Sequence, residues 1–417
     1  MPAKLTLAQA AGRLKPGMTV YVSGMSGEST ALYQALQANP AAAAGVRFVG
    51  ALFPGINRSD YLGLAPDARQ RAYFMLPGLR KGLLDRRAEL MPLDYPGIYR
   101  DLGRLPQIDI AFVQLSPPDE SGNCSLGVSC DFQAAVWARA KQRIAHINPH
   151  MPRTQSTFLV RYSDLDAVFE AEQDLIAYDA GSPDEAMRAH AGLVAGLVRD
   201  GDTLEFGVGK LQSGILSALS GHQHLRVWSG MASAPILPLL DRGVIAGKAS
   251  VNIGVALGAA DLYERAGRDD AFCFRPVSET HDVATIAAID RFCAINSAVE
   301  VDLFGQINAE CANGRLIAGV GGLPAFIDGA LQAQSGRSII ALPATTEDGR
   351  SRIVAQVAAP GLAALPRQSA DYVVTEFGVA ALRDLDLAQR AAALIRIAAP
   401  AHRETLAAQW HECFRTL

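Results

Sequence analysis

The sequence has neither an excess of one charge nor a long apolar run. Lys and Arg together number 38 and Asp and Glu 42, which leaves a formal net charge of −4. Proteins that hold nucleic acid by its phosphates carry a basic excess, so nucleic acid is not an expected partner. No stretch approaches the roughly 18 uninterrupted apolar residues of a membrane helix, so we expect no membrane span.

Cysteine is also sparse. The six cysteines are scattered without CxxC spacing, so the sequence predicts neither a metal site nor a disulfide framework. Cys124 and Cys130 have no paired base nearby in the sequence, and we interpret them as small buried side chains. The first residues, MPAKLTLAQAAGRLKPG, lack the apolar core and cleavage site of a signal peptide and are interpreted as an amphipathic helix. A cytoplasmic location is therefore expected.

What the sequence does contain is an alternation of short apolar runs with alanine-rich amphipathic runs. A chain of 417 residues, 49% of them apolar, is long enough for two or three hydrophobic cores. The alternation predicts α/β layers with a largely parallel sheet. The predicted strands are Thr19–Ser23, Val46–Val49, Ile108–Gln114, Thr203–Phe206, Ser338–Ala341 and Tyr372–Thr375, and the predicted helices are Ala31–Gln37, Phe132–Ala140, Pro183–Val198, Gly214–Leu219 and Ala325–Gln334.

Two segments of the chain follow the same course. In residues 14–24 and 198–208 a helix ends, a glycine turns the chain, and a strand begins after a threonine. Any αβα unit has this outline, but a second copy 184 residues later favours two similar α/β domains. Pro183 and the acidic pair after it suit a helix start, so we place the boundary there. The predicted domains are residues 1–182 and 183–417.

One group of motifs is most informative in combination. Residues 295–310 read INSAVEVDLFGQINAE and are followed by the turn Gly319-Val320-Gly321-Gly322. Downstream come the runs LPAT at 342–345 and TEFGVA at 375–380. In this order and spacing they resemble the C-terminal half of the acetyl-CoA hydrolase/transferase family, whose members move coenzyme A between carboxylic acids.

The resemblance implies a fold and a chemistry. The fold would be two similar α/β domains of the class I CoA-transferase type, with the active site in the interdomain cleft. The expected activity is that of an acyl-CoA:carboxylate CoA-transferase or acetyl-CoA hydrolase, so the partners would be an acyl-CoA and a small carboxylate. Coenzyme A would be a substrate moiety and no permanently bound cofactor is expected. Most members of the family self-associate, so the resemblance implies a homodimer.

The resemblance also assigns residues. Gly322 occupies the place of the glycine whose N–H group meets the thioester oxygen, and Gly319 and Gly321 belong to the same coenzyme-binding turn. Asn296 closes the preceding strand and is assigned to the coenzyme site. Arg350 and Arg352 stand where the family places a loop near the nucleotide end of coenzyme A. Arginine suits phosphate through bidentate hydrogen bonding, although a solvated surface turn explains both arginines equally well.

Glu300 and Asp302 are paired acids two residues apart, which places both on one side of a strand. They could form an acid/base couple or a structural network that anchors the loop to the glycine turn. Within the family such residues look architectural, and we favour that interpretation.

The residue that the family uses as its nucleophile is missing. In relatives a glutamate attacks the thioester and forms an anhydride and then a glutamyl thioester. The matching position here is Gly230, in the run VWSGMASAP, and Ala234 stands where relatives have an aspartate. Three interpretations remain open: a carboxylate supplied from elsewhere, a thioesterase that activates water directly, or a catalytically silent acyl-CoA-binding protein.

Two glutamates are candidates for the missing function. Glu279 lies in the loop where the family contacts the acyl group, and His281 is two residues away in what the sequence predicts to be an extended run, so both would face one side. Glu205, on the strand Thr203–Phe206, is the other candidate. Either Glu279 or His281 could instead activate water. Ordinary solvated charges in a surface loop would also explain Glu279.

Overall fold

The computed structural model describes residues 1–357 and 361–415. Their contacts divide the chain into two compact units. The first unit comprises Met1–Asp179, Gly230–Ala234 and Gly247–Thr280, and the second comprises Ala180–Ser229, Pro235–Ala246 and His281–Leu417. The chain therefore returns to the first unit twice. The predicted domain boundary after residue 182 stays a prediction.

Residues 1–179 contain ten strands and five α-helices within the described chain. The strands are β1 (Ala3–Leu5), β2 (Thr19–Val22), β3 (Arg47–Val49), β4 (Arg69–Ala72), β5 (Ala88–Leu90), β6 (Ile108–Leu115), β7 (Asn123–Cys124), β8 (Ala140–Ile147), β9 (Val160–Arg161) and β10 (Ala167–Glu170). The helices are α1 (Leu7–Ala11), α2 (Thr30–Ala38), α3 (Leu79–Leu84), α4 (Tyr95–Arg104) and α5 (Gln133–Trp137).

The rest of the described chain continues the alternation. Its strands are β11 (Thr203–Phe206), β12 (Arg226–Ser233), β13 (Val251–Leu257), β14 (Phe272–Phe274), β15 (Phe292–Asn296), β16 (Glu300–Asp302), β17 (Ile307–Asn308), β18 (Cys311–Ala312), β19 (Arg315–Leu316), β20 (Arg337–Ala341), β21 (Ile353–Val354), β22 (Tyr372–Thr375) and β23 (Gly378–Ala381). Its helices are α6 (Glu185–Ala195), α7 (Lys210–Ala218), α8 (Leu237–Asp241), α9 (Ala260–Arg268), α10 (Val277–Thr280), α11 (Val283–Ala287), α12 (Leu323–Gln332), α13 (Leu387–Ile397) and α14 (Arg403–Phe414).

The first unit is built on an eight-stranded sheet in the order β1-β10-β8-β6-β2-β3-β4-β5. Every neighbouring pair in it is parallel. Parallel strands are covered on both faces, and β6 accordingly is buried along its whole length. An aromatic core that includes Tyr21, Phe74, Tyr95 and Phe132 packs in this unit.

The second unit also contains a largely parallel sheet. Here β11 pairs in parallel with β12 on one side and β15 on the other, and β15, β20 and β22 continue the parallel order. The last strand, β23, is antiparallel to β22. Helix α12 packs into the core beside Phe292 and Ile340. The prediction of α/β layers with largely parallel sheets is confirmed.

The predicted elements agree with the structure best where strands are short and isolated by turns. Thr203–Phe206 and Tyr372–Thr375 match to the residue. The predicted helix Phe132–Ala140 is wrong at its end, because the helix stops at Trp137 and Ala140 begins β8. Alanine is the best helix former, but helix propensity is a weak preference in general, and pairing of β8 with β6 and β10 outweighs it.

The predicted amphipathic helix at the N-terminus is also wrong in extent. Residues Ala3–Leu5 form a strand that pairs with β10. The helix begins only after Thr6, whose hydroxyl accepts from the Gln9 N–H while the Gln9 side chain accepts from the Thr6 N–H. This capping box is readable in the sequence as Thr-x-x-Gln.

The length of the helices is limited throughout. No helix among the described residues is both long and apolar enough to cross a membrane.

Asp302 organises the loop that follows β16. Its fully buried carboxylate accepts hydrogen bonds from the backbone N–H groups of Phe304, at 3.1 Å, and Gln306, at 2.8 Å. It also accepts from the Gln306 side chain at 2.8 Å and from the Val357 N–H at 3.4 Å. Glu300 meets the Asn308 side chain at 3.0 Å. These contacts support the structural interpretation of the pair.

We expect Asp302→Ala to lower the free energy of unfolding by about 2–4 kcal/mol, because buried backbone donors lose their acceptor. Glu300→Ala, at the partly exposed end of the same strand, is the matched control and should cost well under half as much. Urea denaturation of both variants measures the difference. Equal losses of stability in the two variants would contradict the structural role assigned to Asp302.

Candidate active site

The glycine turn leads directly into a helix, as predicted. Gly321 has φ +63, a left-handed conformation that L side chains rarely adopt. Helix α12 begins at Leu323 with Pro324 in its first turn, and no side chain caps it among the described residues. A helix start of this kind presents backbone N–H groups and the positive end of the helix dipole. It is suited to an anionic oxygen.

His281 packs against this turn in the second unit. A Cβ atom built on Gly322 would lie 2.4 Å from His281 Nε2 and 3.0 Å from Phe326 Cε2. The imidazole is 2% exposed and its centroid is 4.5 Å from the Phe326 ring. Two of the three predicted catalytic residues, His281 and Gly322, are thus brought together, and position 322 accommodates only glycine.

Burial lowers the pKa of His281 to about 3. The ring is therefore neutral near pH 7, and a base this weak gains little by accepting a proton. A neutral imidazole still carries one donor and one acceptor nitrogen. Its position beside the turn favours orientation of a bound group over proton abstraction, and its catalytic role stays a prediction.

Glu279, the third predicted catalytic residue, lies in helix α10 of the first unit. Its carboxylate accepts from Arg275 Nη1 at 2.7 Å and from Thr157 Oγ1 at 2.8 Å. The predicted extended run is wrong, because Val277–Thr280 is helical. Glu279 lies in this helix and His281 in the turn directly after it, so the strand geometry that would place both side chains on one side does not apply. The role of Glu279 stays a prediction.

Glu205 and Asn296 form a buried pair on neighbouring strands of the second unit. The Asn296 side chain donates to Glu205 Oε2 at 2.6 Å, because β11 and β15 lie in parallel register. Burial raises the pKa of Glu205 to about 8, and the hydrogen bond from Asn296 only partly opposes that rise. The carboxyl group is thus largely protonated near pH 7. The assignment of Asn296 to the coenzyme site stays a prediction.

Arg350 and Arg352 line one cavity of about 630 Å3 in the second unit. Arg352 Nη1 donates to the Val299 carbonyl oxygen at 3.0 Å, which anchors its guanidinium against the wall. Arg350 is more exposed and pairs with Asp348 at 2.9 Å. The glycine turn is not part of this wall. The same wall carries three carboxylates, Glu300, Glu347 and Asp348, so it has no excess of positive charge. The coenzyme assignment of both arginines stays a prediction.

The cysteines behave as small core residues. Burial raises the pKa of Cys124 to about 11 and that of Cys130 to about 12. Both thiols are therefore protonated and poor nucleophiles, which agrees with the interpretation from sequence.

Sequence reasoning missed two buried carboxyl groups in the first unit, Glu28 and Asp131, which are 1% and 4% exposed. Asp131 has φ +25, uncommon for a residue with a side chain. A Cβ built on Gly254 would lie 3.9 Å from Asp131 Oδ1 and 3.0 Å from the carbonyl oxygen of Gly230. Asp131 and Gly230 thus both lie close to Gly254, and the assignment of Gly230 as the position of the missing nucleophile stays a prediction. No local sequence signal marks either acid as buried.

Comparison with known proteins decides the family. The sequence profile of the acetyl-CoA hydrolase/transferase N-terminal domain matches residues 3–178, and that of the C-terminal domain matches residues 258–410. The 4-hydroxybutyrate coenzyme A transferase of Clostridium kluyveri is 31% identical over 420 aligned residues, which cover 98% of this chain and 97% of that protein. The chain belongs to the acetyl-CoA hydrolase/transferase family. The resemblance read from the motifs is confirmed.

Solved structures agree with the family. The crystal structure of RipA from Yersinia pestis superposes with a TM-score of 0.91 at 27% identity and covers 99% of this chain and 98% of that one. The 4-hydroxybutyrate CoA-transferase from Porphyromonas gingivalis gives 0.79 at 27% identity, with 100% and 98% covered. The predicted α/β fold class is confirmed.

We expect Gly322→Ala to lower the rate of any thioester chemistry by about 10²–10³, the usual effect of losing one oxyanion donor. The added methyl group would meet His281 Nε2 at 2.4 Å, so the turn or the ring must move. Steady-state kinetics of the folded variant measure the loss.

The double variant Gly322→Ala with His281→Ala separates the two causes. If steric contact with the ring displaces the turn, Gly322→Ala should lower the rate less in a His281→Ala background than in the wild type. Full activity in the single Gly322→Ala variant would contradict the assigned role.

Glu205 should make stability depend on pH. Its folded pKa of about 8 lies above its ordinary value of 4.5, so the stability contributed by the neutral form is complete below the lower value and is lost as pH rises through the higher one. The free energy of unfolding should therefore fall more steeply between about pH 5 and 8 in the wild type than in Glu205→Gln.

Urea unfolding at several pH values measures the two slopes. Glu120→Gln, an exposed substitution, should leave the wild-type slope unchanged. Part of the slope should survive in Glu205→Gln, because burial also raises the pKa of Asp131 to about 8. Identical slopes in wild type and Glu205→Gln would show that Glu205 is ionised in the fold.

Proposed function

We propose that the protein is an acyl-CoA:carboxylate CoA-transferase that acts on a small acyl-CoA thioester. The observation that carries the proposal is the glycine turn at an uncapped helix start, with a buried neutral imidazole packed on Gly322. Such a turn can aim N–H groups at a thioester oxygen, where negative charge develops as a nucleophile attacks. Membership of the family supplies the reaction class.

The reaction needs a carboxylate on the protein or a direct route between the substrates. A protein carboxylate would attack the thioester carbon, the C–S bond would break, and coenzyme A would leave as the thiolate. The thiolate would then attack the protein carbonyl of the resulting anhydride and release the first acid. The acceptor carboxylate would repeat these steps in reverse.

Glu205 and Glu279 remain the proposed sources of that carboxylate. They differ in what must change before each can attack. Glu279 is paired with Arg275 at 2.7 Å and has both carboxylate oxygens engaged in hydrogen bonds. Glu205 has to lose a proton first. Arg350 and Arg352 would hold the phosphates of coenzyme A in their cavity. A homodimer and a cytoplasmic location belong to the same proposal and are testable by sedimentation and cell fractionation.

Incubation with acetyl-CoA or butyryl-CoA and a panel of short carboxylates tests the proposal, with free thiol and acyl-CoA exchange followed together. We expect exchange without thiol release, and a glutamyl adduct trapped by borohydride and located by mass spectrometry. Replacing the acting carboxylate, in Glu205→Gln or Glu279→Gln, should cost at least about 10²–10⁴ in rate, the usual effect of losing a general base. Thiol release alone would indicate a thioesterase, and neither signal would indicate a silent binding protein.

Gly230→Glu tests the assignment of the lost position. If the position is correct, the new carboxylate should raise the exchange rate and become the trapped residue. Gly230→Gln is the matched control, because it adds the same bulk without a nucleophile. An equal change in both variants would contradict the assignment.

A further inference from the structure

The two carboxylates proposed as the nucleophile differ in their exposure. Glu205 is 3% exposed and is bonded to Asn296 within the sheet. The Glu279 side chain, in contrast, is 36% exposed. Because a nucleophile has to come into contact with the thioester carbon, exposure favours Glu279 over Glu205.

The two oxygens of Glu279 are held by partners of different freedom. Oε2 accepts from Arg275 Nη1 at 2.7 Å, and Oε1 accepts from the hydroxyl of the exposed Thr157 at 2.8 Å. A threonine hydroxyl rotates to suit its surroundings, whereas a guanidinium directs its N–H groups in a fixed plane. Oε1 can therefore be released by a rotation of one hydroxyl group.

Arg275 is itself anchored. Its Nε donates to Asn252 Oδ1 at 2.7 Å. The Asn252 side-chain nitrogen donates to the Ala249 carbonyl oxygen at 2.8 Å, and this bond orients the amide so that its oxygen faces the guanidinium. The backbone N–H of Arg275 donates to the Ile253 carbonyl oxygen at 2.8 Å, which continues the pairing of β13 with β14. The guanidinium is thus fixed at Nε while Nη1 holds the carboxylate.

An arginine and an acid four residues apart at this exposure contribute little to stability. The additional bond to Asn252 instead fixes the direction of the carboxylate, and direction matters for a group that has to attack along one line. The first unit offers a matched pair for comparison. Arg265 and Asp269 on helix α9 are also four residues apart, meet at 2.6 Å and are 27% and 21% exposed.

We propose that Arg275, anchored by Asn252, is a positioning residue that holds Oε2 of Glu279 and leaves Oε1 as the attacking atom. The inference rests on the proposed function, because it names the carboxylate that acts there and the group that orients it.

The step then proceeds in the following way. The Thr157 hydroxyl turns away, and a lone pair of Glu279 Oε1 forms the bond to the thioester carbon. The C–S bond breaks and its electron pair leaves on the coenzyme A thiolate. Oε2 becomes the carbonyl oxygen of the anhydride and keeps its hydrogen bond from Arg275. No proton is transferred in this step.

Steady-state exchange kinetics test the role of Arg275, with acetyl-CoA and the carboxylate of the panel that exchanges fastest. We expect Arg275→Gln to lower kcat by about 10², the usual effect of a misplaced reacting group, and to change KM by less than about threefold. Arg275→Lys should recover part of the loss, because it keeps the charge without the fork. Asn252→Ala, which removes only the anchor, should lower kcat by about tenfold.

Arg265→Gln is the matched control and should leave both kcat and KM unchanged. An unchanged kcat in folded Arg275→Gln, or an equal loss in Arg265→Gln, would overturn the proposal. So would a loss in Arg275→Gln that lies entirely in KM.

Thr157→Val identifies the attacking oxygen. It removes the hydrogen bond that Oε1 has to give up, so kcat should stay the same or rise by up to about tenfold. A fall in kcat as large as that of Arg275→Gln would show that Oε1 needs its threonine partner and would refute the assignment of this atom.

Borohydride trapping in the wild-type protein tests the proposal without a change of sequence. Peptide mass mapping should place the glutamyl adduct at Glu279. An adduct at Glu205 would overturn the inference and leave the transferase standing. An adduct at Glu279 with thiol release and no exchange would support the inference and refute the transferase, and the absence of any adduct and of exchange would refute both.

Discussion

The imidazole of His281 fills the space that a side chain at position 322 would need, and this contact constrains the whole start of helix α12. Gly321 turns the chain through a left-handed conformation just before it. The helix then begins without a side-chain cap among the described residues. As a result, the turn presents its backbone N–H groups and leaves no room for a side chain at position 322.

A second feature of the structure is the burial of carboxyl groups. Glu28, Asp131 and Glu205 are all removed from water, and burial raises the pKa of each. A structural acid in such a place is normally paired with a cation, as Asp202 is with Arg337 in the second unit. Carboxyls kept neutral by their surroundings are typical of sites that handle protons or ligands.

Much of the fold could be predicted from sequence because its signals are local. Strands such as Thr203–Phe206 lie between turns, and the proline near the start of α12 marks the helix. The end of α5 could not be placed, because pairing of β8 with distant strands overrides the helical preference of alanine. The helix at Val277–Thr280 was likewise hidden in a short polar run.

Residues of the candidate site could be predicted from the sequence only where they belong to a recognisable motif. The glycine turn and the helix start after it could be predicted from the local sequence, whereas the contact of Gly322 with His281 joins residues 41 positions apart. Glu28 and Asp131 were missed because burial of an acid depends on long-range packing. The pairing of Glu205 with Asn296 depends in the same way on the register of two strands.

The two returns of the chain to the first unit have a consequence for synthesis and truncation. The backbone N–H of Cys130 donates to the Gly254 carbonyl and that of Tyr178 to the Gly258 carbonyl. Val277 packs into the aromatic core of that unit. A ribosome has therefore to deliver the chain to about Thr280 before this core can close. A fragment cut after Asp179 would expose apolar surface that later segments cover. The first unit is compact in space but is not one continuous segment of the sequence.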